Sequence, residues 1–182
     1  MTNAIIVDVE TASLYGEVIE LAYATVEGMR VSDPVSMRFK ASEGFDARAV
    51  AVHRILPEDV ELCPPSDTAM TRLPMADYWI GHNIIYDWER LGRPGDVKLI
   101  CTLRLSELVW PKLNTFKLSS LYVQLFGMNA KTISAIGDLH TASCDVKLTA
   151  NVLWKLMRET GVTDVSQFPC ITPPEKWKHE RV

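Results

Sequence analysis

The first apolar run of the chain, Ala4-Ile5-Ile6-Val7, has the length and β-branched content of a buried strand. Acids then interrupt it, in the order Asp8-Val9-Glu10-Thr11. Side chains alternate along a strand, so Ile6, Asp8 and Glu10 share one face and Ile5, Val7 and Val9 the other. A second strand is predicted over Glu17 to Val26, and Glu27-Gly28 turns the chain into a third near Met29 to Lys40. Strands in tandem with tight links predict an antiparallel meander. Asp46 to Leu56 has helical character and stops at Pro57. Pro64-Pro65 is a loop, and Ser66 or Asp67 is the expected cap of a short helix to Leu73. Tyr78 to Gly81 reads as a short buried strand, with Asn83 capping the helix after it. Gly92-Arg93-Pro94-Gly95 is a turn. Val97 to Cys101 reads as a further strand, running into a helix that ends near Trp110-Pro111. Thr115 to Phe126 is helical and stops at Gly127. The last long helix runs from about Thr141 to Thr160 and ends at Gly161. Its apolar stripe is Val146, Thr149, Ala150, Leu153, Leu156 and Met157. Strands first, then helices mixed with two further strands, predict an α/β fold with a mixed sheet.

At 182 residues the chain is long enough for one domain with a real core, and it shows no internal repeat. No apolar stretch is long enough to span a membrane, so no membrane partner is expected. Met1-Thr2-Asn3 opens directly into the first strand, so no signal peptide is expected either. Cys63, Cys101, Cys144 and Cys170 are scattered without C-x-x-C or zinc spacing, which reads as reduced thiols in a cytoplasmic protein. The net charge of −4 argues against a protein that coats nucleic acid through bulk positive field, but is compatible with an enzyme that grips one strand end.

The candidate chemistry starts at Asp8 and Glu10. Two carboxylates on one face at the end of a core strand repel unless something positive sits between them. A divalent metal is the usual answer, and oxygen ligands select Mg²⁺, Mn²⁺ or Ca²⁺. A second motif, Gly81-His82-Asn83-Ile84-Ile85-Tyr86-Asp87, leaves a strand and enters a helix, with Asn83 and Asp87 on a shared helix face. A third is His140-x₄-Asp145, with His140 just before the long helix and Asp145 in its first turn, at the edge of the buried stripe. Taken singly, each has an ordinary explanation. Asp8 and Glu10 are then solvated acids at a turn, Asp87 a surface acid paired with Arg90 or Lys98, and His140 a loop histidine. His53 and His82 read as structural, and Tyr86, Trp88 and Trp110 as core aromatics.

In order and context, the set Asp8/Glu10, Asp87 and His140/Asp145 resembles the DEDDh group of 3′→5′ exonucleases, relatives of polymerase proofreading subunits. The resemblance runs from Ile5 to about Val162. It narrows toward the bacterial exonuclease X type through Ala49 to Ile55, Ile100 to Leu105 and Leu108 to Pro111. It implies a ribonuclease H-like α/β fold. Phe168 to Val182, with three prolines and Lys176-Trp177-Lys178-His179, reads as a tail, so the expected division is an exonuclease domain over 1–165 and a C-terminal tail over 166–182. It implies that Asp8 bridges two metal ions, that Glu10 and Asp145 hold the metal carrying the attacking water, and that Asp87 helps position the second. His140 is then the general base, and Thr11 and Leu14 line the pocket for the terminal nucleotide. His53, Asn83 and Tyr86 are further candidates for substrate contact. Two positions depart from the family pattern. Ser13 stands where Gly is usual and Tyr86 where Phe is usual, both beside the expected pocket.

Phosphodiester cleavage needs a nucleophile at neutral pH and neutralisation of charge on the attacking and leaving oxygens, which two metals about 4 Å apart supply. Histidine is the side chain whose ordinary pKa suits a base near pH 7. The expected cofactor is therefore Mg²⁺, two ions, with Mn²⁺ able to substitute. The expected substrate is DNA 3′ ends, single-stranded or duplex, with RNA as the competing substrate within the enzyme class. A non-catalytic nucleic-acid-binding or polymerase-accessory module is the competing reading outside it, but such a module gains nothing from clustered negative charge near phosphates.

Overall fold

The computed structural model describes residues 2–137 and 140–172. Six strands form one mixed sheet: β1 (Ala4–Thr11), β2 (Val18–Glu27), β3 (Arg30–Val31), β4 (Val35–Arg38), β5 (Tyr78–Gly81) and β6 (Lys98–Cys101). The order across the sheet is β3-β2-β1-β5-β6, with β4 also on β2. The β1–β2 pair is antiparallel, while β1–β5 and β5–β6 are parallel. The expected third strand over Met29 to Lys40 is in fact two, β3 and β4, both antiparallel to β2. Pro34, which lacks an N–H for a ladder, stands between them.

Helices cover both faces, as the apolar pattern requires. On one side Ala4, Ile6, Ala22, Ala24, Ile80 and Ile100 pack under α6 (Ala142–Thr160), which brings Val146, Val152, Leu153, Leu156 and Met157. Helices α3 (Thr102–Val109) and α4 (Leu118–Phe126) pack against α6 on that face. On the other side Ile5, Val7, Val9, Leu21, Trp79 and Leu99 pack with Ile84, Leu91 and Phe39. Helix α2 (Ile85–Arg90) lies along β1 there.

Several ends differ from the sequence reading. Helix α1 covers only Ala47–His53, because Arg54 turns left-handed (φ 61°) before Pro57 is reached. The segment Ser66–Arg72 is a 3₁₀ turn preceded by Pro65, and the Ser66 hydroxyl donates to the Val18 carbonyl instead of capping it. Asn83 is itself left-handed (φ 74°), outside α2, so it does not act as the side-chain cap. A short helix, α5 (Ala130–Ala135), went unpredicted; the Asn129 side chain caps it by accepting the Thr132 N–H. Thr141 caps α6 and Gly161 (φ 75°) ends it.

The segment expected to be tail from 166 onward begins packed. Phe168 is buried in the α6-side core, and the Ile171 N–H donates to the Leu99 carbonyl at the edge of β6. Residues 173–182 lie outside the described residues. Among the described residues no helix is long and apolar enough to cross a membrane. All four cysteines are thiols, with Cys101 and Cys144 buried.

Candidate metal centre

The acids meet where β1 outruns its parallel neighbour. The β1–β5 register ends at Ile6↔Ile80, while β1 continues to Thr11. Past that point the side of β1 facing β5 has no strand partner. Asp87 of α2 takes up one of the freed groups, accepting the Val9 N–H at 3.0 Å through Oδ1. Gly81 allows the chain to leave β5 this closely: a Cβ there would stand 2.8 Å from Ile84 Cδ1 and 3.2 Å from the Val7 carbonyl oxygen. The register of β1 on β2 shifts between Glu10 and Thr11, a bulge of the kind that re-aims side chains beside sites.

Asp8 and Glu10 lie on the α6 face, and Asp145 meets them from the first turn of α6. One ligand atom each of Glu10, Asp145 and His140 all lie within 4.8 Å of one another. His140 itself is exposed, with φ 66°, and leads directly into the Thr141 cap. Asp87, on α2, is buried. The bland reading of Asp87 as a surface acid therefore fails. Arg90 pairs with Glu89 at 3.8 Å, and Lys98 stands over the Tyr78 ring.

The electrostatics are those of anions crowded out of water. Burial first, then the Asp87, Asp145, Glu10 and Glu20 carboxylates, hold Asp8 well above the ordinary carboxyl range. Burial and the Asp145, Glu20 and Asp87 charges push Glu10 up to about 9. Burial raises Asp87 to about 8 against the pull of its backbone hydrogen bonds. Asp145 rises to about 6, again chiefly by burial, with a backbone hydrogen bond from His140 pulling down. Among the described residues the buried Asp145 Oδ1 has no hydrogen-bond partner. Oxygen donors, mutual repulsion and an unpartnered carboxylate oxygen fit a hard divalent cation. Burial and the Arg54 cation hold His140 below its ordinary value, which favours the neutral ring.

A hollow of about 290 Å³ opens beside Glu10. Thr11, Leu14, His53 and Tyr86 line it, so four of the five expected substrate contacts share one pocket. Asn83 is exposed and is not among the lining residues. The Thr11 hydroxyl donates to the Ser13 carbonyl at 2.7 Å, which leaves the Tyr86 hydroxyl as the donor to Thr11 at 2.6 Å. Tyr86 thus uses the oxygen that a Phe would lack to fix the loop after β1. The His53 Nδ1 accepts the Ile55 N–H at 3.0 Å, which assigns the ring proton to Nε2. His82 is structural: its ring joins Thr102 Oγ1 at 3.0 Å and the Phe116 carbonyl at 2.7 Å. A larger groove of about 460 Å³, around Met29, Val31 and Trp154, contains none of the candidate residues.

Sequence reasoning missed Glu20. It is buried on β2 directly across from Glu10, with Arg38 and Ala142 as partners. The available signal was a lone acid inside the apolar run Val18-Ile19-Glu20-Leu21-Ala22.

No family model matches the chain. Exodeoxyribonuclease 10 of Escherichia coli K12 is 27% identical over 159 residues, which is 87% of this chain and 70% of that protein. Among solved structures, exonuclease X in complex with 5′ overhanging duplex DNA superposes with a TM-score of 0.71 at 22% identity, over 87% of this chain and 93% of the other. The zinc-bound E. coli ExoI–ssDNA complex gives 0.67 at 14% identity, covering 88% of this chain but 41% of that one. A 3′-exonuclease solved for its recognition of a histone mRNA stem-loop gives 0.67 at 13%, over 93% and 90% of the two chains. The structural likenesses establish the fold, a ribonuclease H-like mixed sheet flanked by helices. In the order of its acids, in sequence and in fold, the chain resembles the DEDDh 3′→5′ exonucleases, and among them the exonuclease X type.

Proposed function

We propose that this protein is a divalent-metal-dependent 3′→5′ exonuclease that removes nucleoside 5′-monophosphates from DNA ends. The observation that carries the reading is the meeting of Glu10, Asp145 and His140 within 4.8 Å, beside half-buried Asp8 and buried Asp87 and at the rim of the 290 Å³ hollow. Asp8, Glu10, Asp87 and Asp145 would hold the metal, Mg²⁺ by preference with Mn²⁺ as substitute. Bound there, such ions supply an activated water and neutralise charge on the attacking and leaving oxygens.

The remaining steps belong to the chain. His140 is exposed at the mouth of the acid cluster, where its neutral ring accepts the proton of the attacking water. The Tyr86–Thr11–Ser13 hydrogen bonds hold the wall of the hollow, and Leu14, 60% exposed, offers an apolar surface to the terminal nucleotide. His53 also lines the hollow. DNA is favoured over RNA by the likeness to an exodeoxyribonuclease, and a cytoplasmic role in repair or proofreading is the setting we propose.

The test is to incubate end-labelled single-stranded DNA, duplex DNA and RNA with Mg²⁺ or Mn²⁺ and to follow product length. Stepwise shortening of DNA from its 3′ end, abolished by EDTA, is expected. Preferential shortening of RNA would replace the substrate assignment. Binding without nucleotide release would replace the enzyme with a non-catalytic module.

A further inference from the structure

The proposed reaction leaves one buried acid without a task. Glu20 sits in the middle of β2 and is 5% exposed. It shares the α6 face with Ala22 and Ala24, and the sheet register sets it directly opposite Glu10. Like charges facing across a ladder are destabilising, and burial makes them more so. An acid here therefore needs a compensating role.

Its two oxygens serve different elements. Oε2 accepts the N–H of Ala142 at 2.8 Å, and Oε1 accepts Nε–H of Arg38, on β4, at 3.4 Å. Ala142 is the first residue of α6, so its N–H is one of the donors a helix cannot satisfy internally. The Thr141 side chain is occupied with the Cys144 N–H, so the two caps serve different donors. Ala142 stands two residues after His140 and three before Asp145. One carboxylate thus fastens the start of α6, with Asp145 and His140 on either side of the anchor point, to the strand that faces Glu10.

We propose that Glu20 is a positioning residue that sets the separation between Glu10 on the sheet and the His140–Asp145 segment, and through it metal affinity and turnover. The inference rests on reading the acid cluster as a metal centre. Glu20 acts through the Ala142 N–H and need not touch metal or substrate. What it supplies is an acceptor oxygen at a fixed reach from β2, so reach should matter more than charge.

Two conservative variants separate these. Glu20→Gln keeps the length and an acceptor oxygen for Ala142 but gives up the charge. Glu20→Asp keeps the charge but is one methylene short. The measurements are Mn²⁺ binding by calorimetry at fixed pH, thermal melting, and kcat and KM on a short single-stranded DNA. Groups that orient metal ligands typically contribute 10–100-fold to affinity or activity. Glu20→Asp and Glu20→Ala are expected to weaken Mn²⁺ binding and lower kcat within about that range, with KM within roughly threefold of wild type. Glu20→Gln should recover both to within a few-fold. The inference is overturned if Asp behaves as wild type and Gln as Ala, for then charge matters and not reach. It is equally overturned if the variants melt earlier but bind Mn²⁺ and turn over like wild type below their melting points. A wild type that neither binds Mn²⁺ nor releases nucleotides would instead sink the metal-centre reading itself.

Discussion

β1 and α6 each have two ends, and burial has opposite consequences at them. Near the start of β1, Ile5, Ile6 and Val7 are sealed from water, as are Val152, Leu153 and Leu156 in the later turns of α6. Burying such a side chain stabilises by about 1.5–3 kcal/mol. At the other end of the same strand stand Asp8 and Glu10, and in the first turn of the same helix stands Asp145. There burial raises carboxyl pKa values, so the charged forms are held at a cost. The apolar ends hold the acid ends in place. Stability and chemistry thus lie on the same elements but in different turns, and single substitutions should separate them.

The largest effect is expected at Asp8. Asp8→Ala should reduce turnover by well over the roughly hundredfold that indirect contacts contribute, while the metal-free protein melts no lower than wild type. Removing one anion relieves repulsion that Asp87, Asp145 and Glu10 impose on it. Activity within tenfold of wild type, measured as nucleotide release with Mg²⁺, would exclude a central role for this carboxylate.

His140→Ala should come next, lowering kcat by about 10²–10⁴-fold, the usual contribution of a general base. Metal and oligonucleotide affinity should stay within a few-fold, because His140 is exposed and its role is to accept a proton. Single-turnover rates across pH provide the check, and a near-wild-type rate in the variant would leave the base unassigned to His140.

The apolar end should show the reverse. Leu153→Ala removes a fully buried side chain from the core under α6. The expected loss is about 2–5 kcal/mol of stability by denaturant titration, with kcat per folded molecule unchanged. A matching fall in kcat well below the melting point would mean that the two ends are not separable.

The same contrast explains what the sequence could disclose. The apolar ends were legible because burial imposes a period. Two-residue alternation placed Ile5 and Ile6 on opposite faces, and helical spacing marked the stripe through Val146, Leu153 and Leu156. The acid set was legible because four carboxylates interrupt those patterns where strands and helices end. Local backbone turns were not. Asn83 and Arg54 adopt left-handed conformations that residue type alone does not announce, and Pro34 divides a strand that β-propensity runs together. Glu20 escaped for a different reason. Its value lies in a contact with Ala142, 122 positions away, and nothing local to β2 signals that partner.

The smallest effect, and the sharpest test of the acid end, is the pH dependence of metal-free stability. In the folded protein Asp145 titrates near 6, Asp87 near 8 and Glu10 near 9, against ordinary values of 3.8, 3.8 and 4.5. Folded-state values above unfolded ones mean that the unfolded chain gives up these protons first. The contribution of the cluster is therefore complete below about pH 4 and is lost progressively as pH rises from there through the folded values, the last of it near pH 9. In EDTA the melting temperature should fall across that window. Mg²⁺ should reverse the fall increasingly as pH rises, because the carboxylates bind it deprotonated. At a hundredfold excess over Kd the rescue amounts to about 2.7 kcal/mol. Asp145→Asn removes one of the raised carboxylates and one hard ligand together. It should flatten the metal-free slope below about pH 6 and shrink the Mg²⁺ rescue. If wild type and Asp145→Asn give superimposable melting curves with and without Mg²⁺ from pH 5 to 9, Asp145 is neither an ionic neighbour of the other acids nor a ligand, and the acid end of α6 loses its distinction from the apolar one.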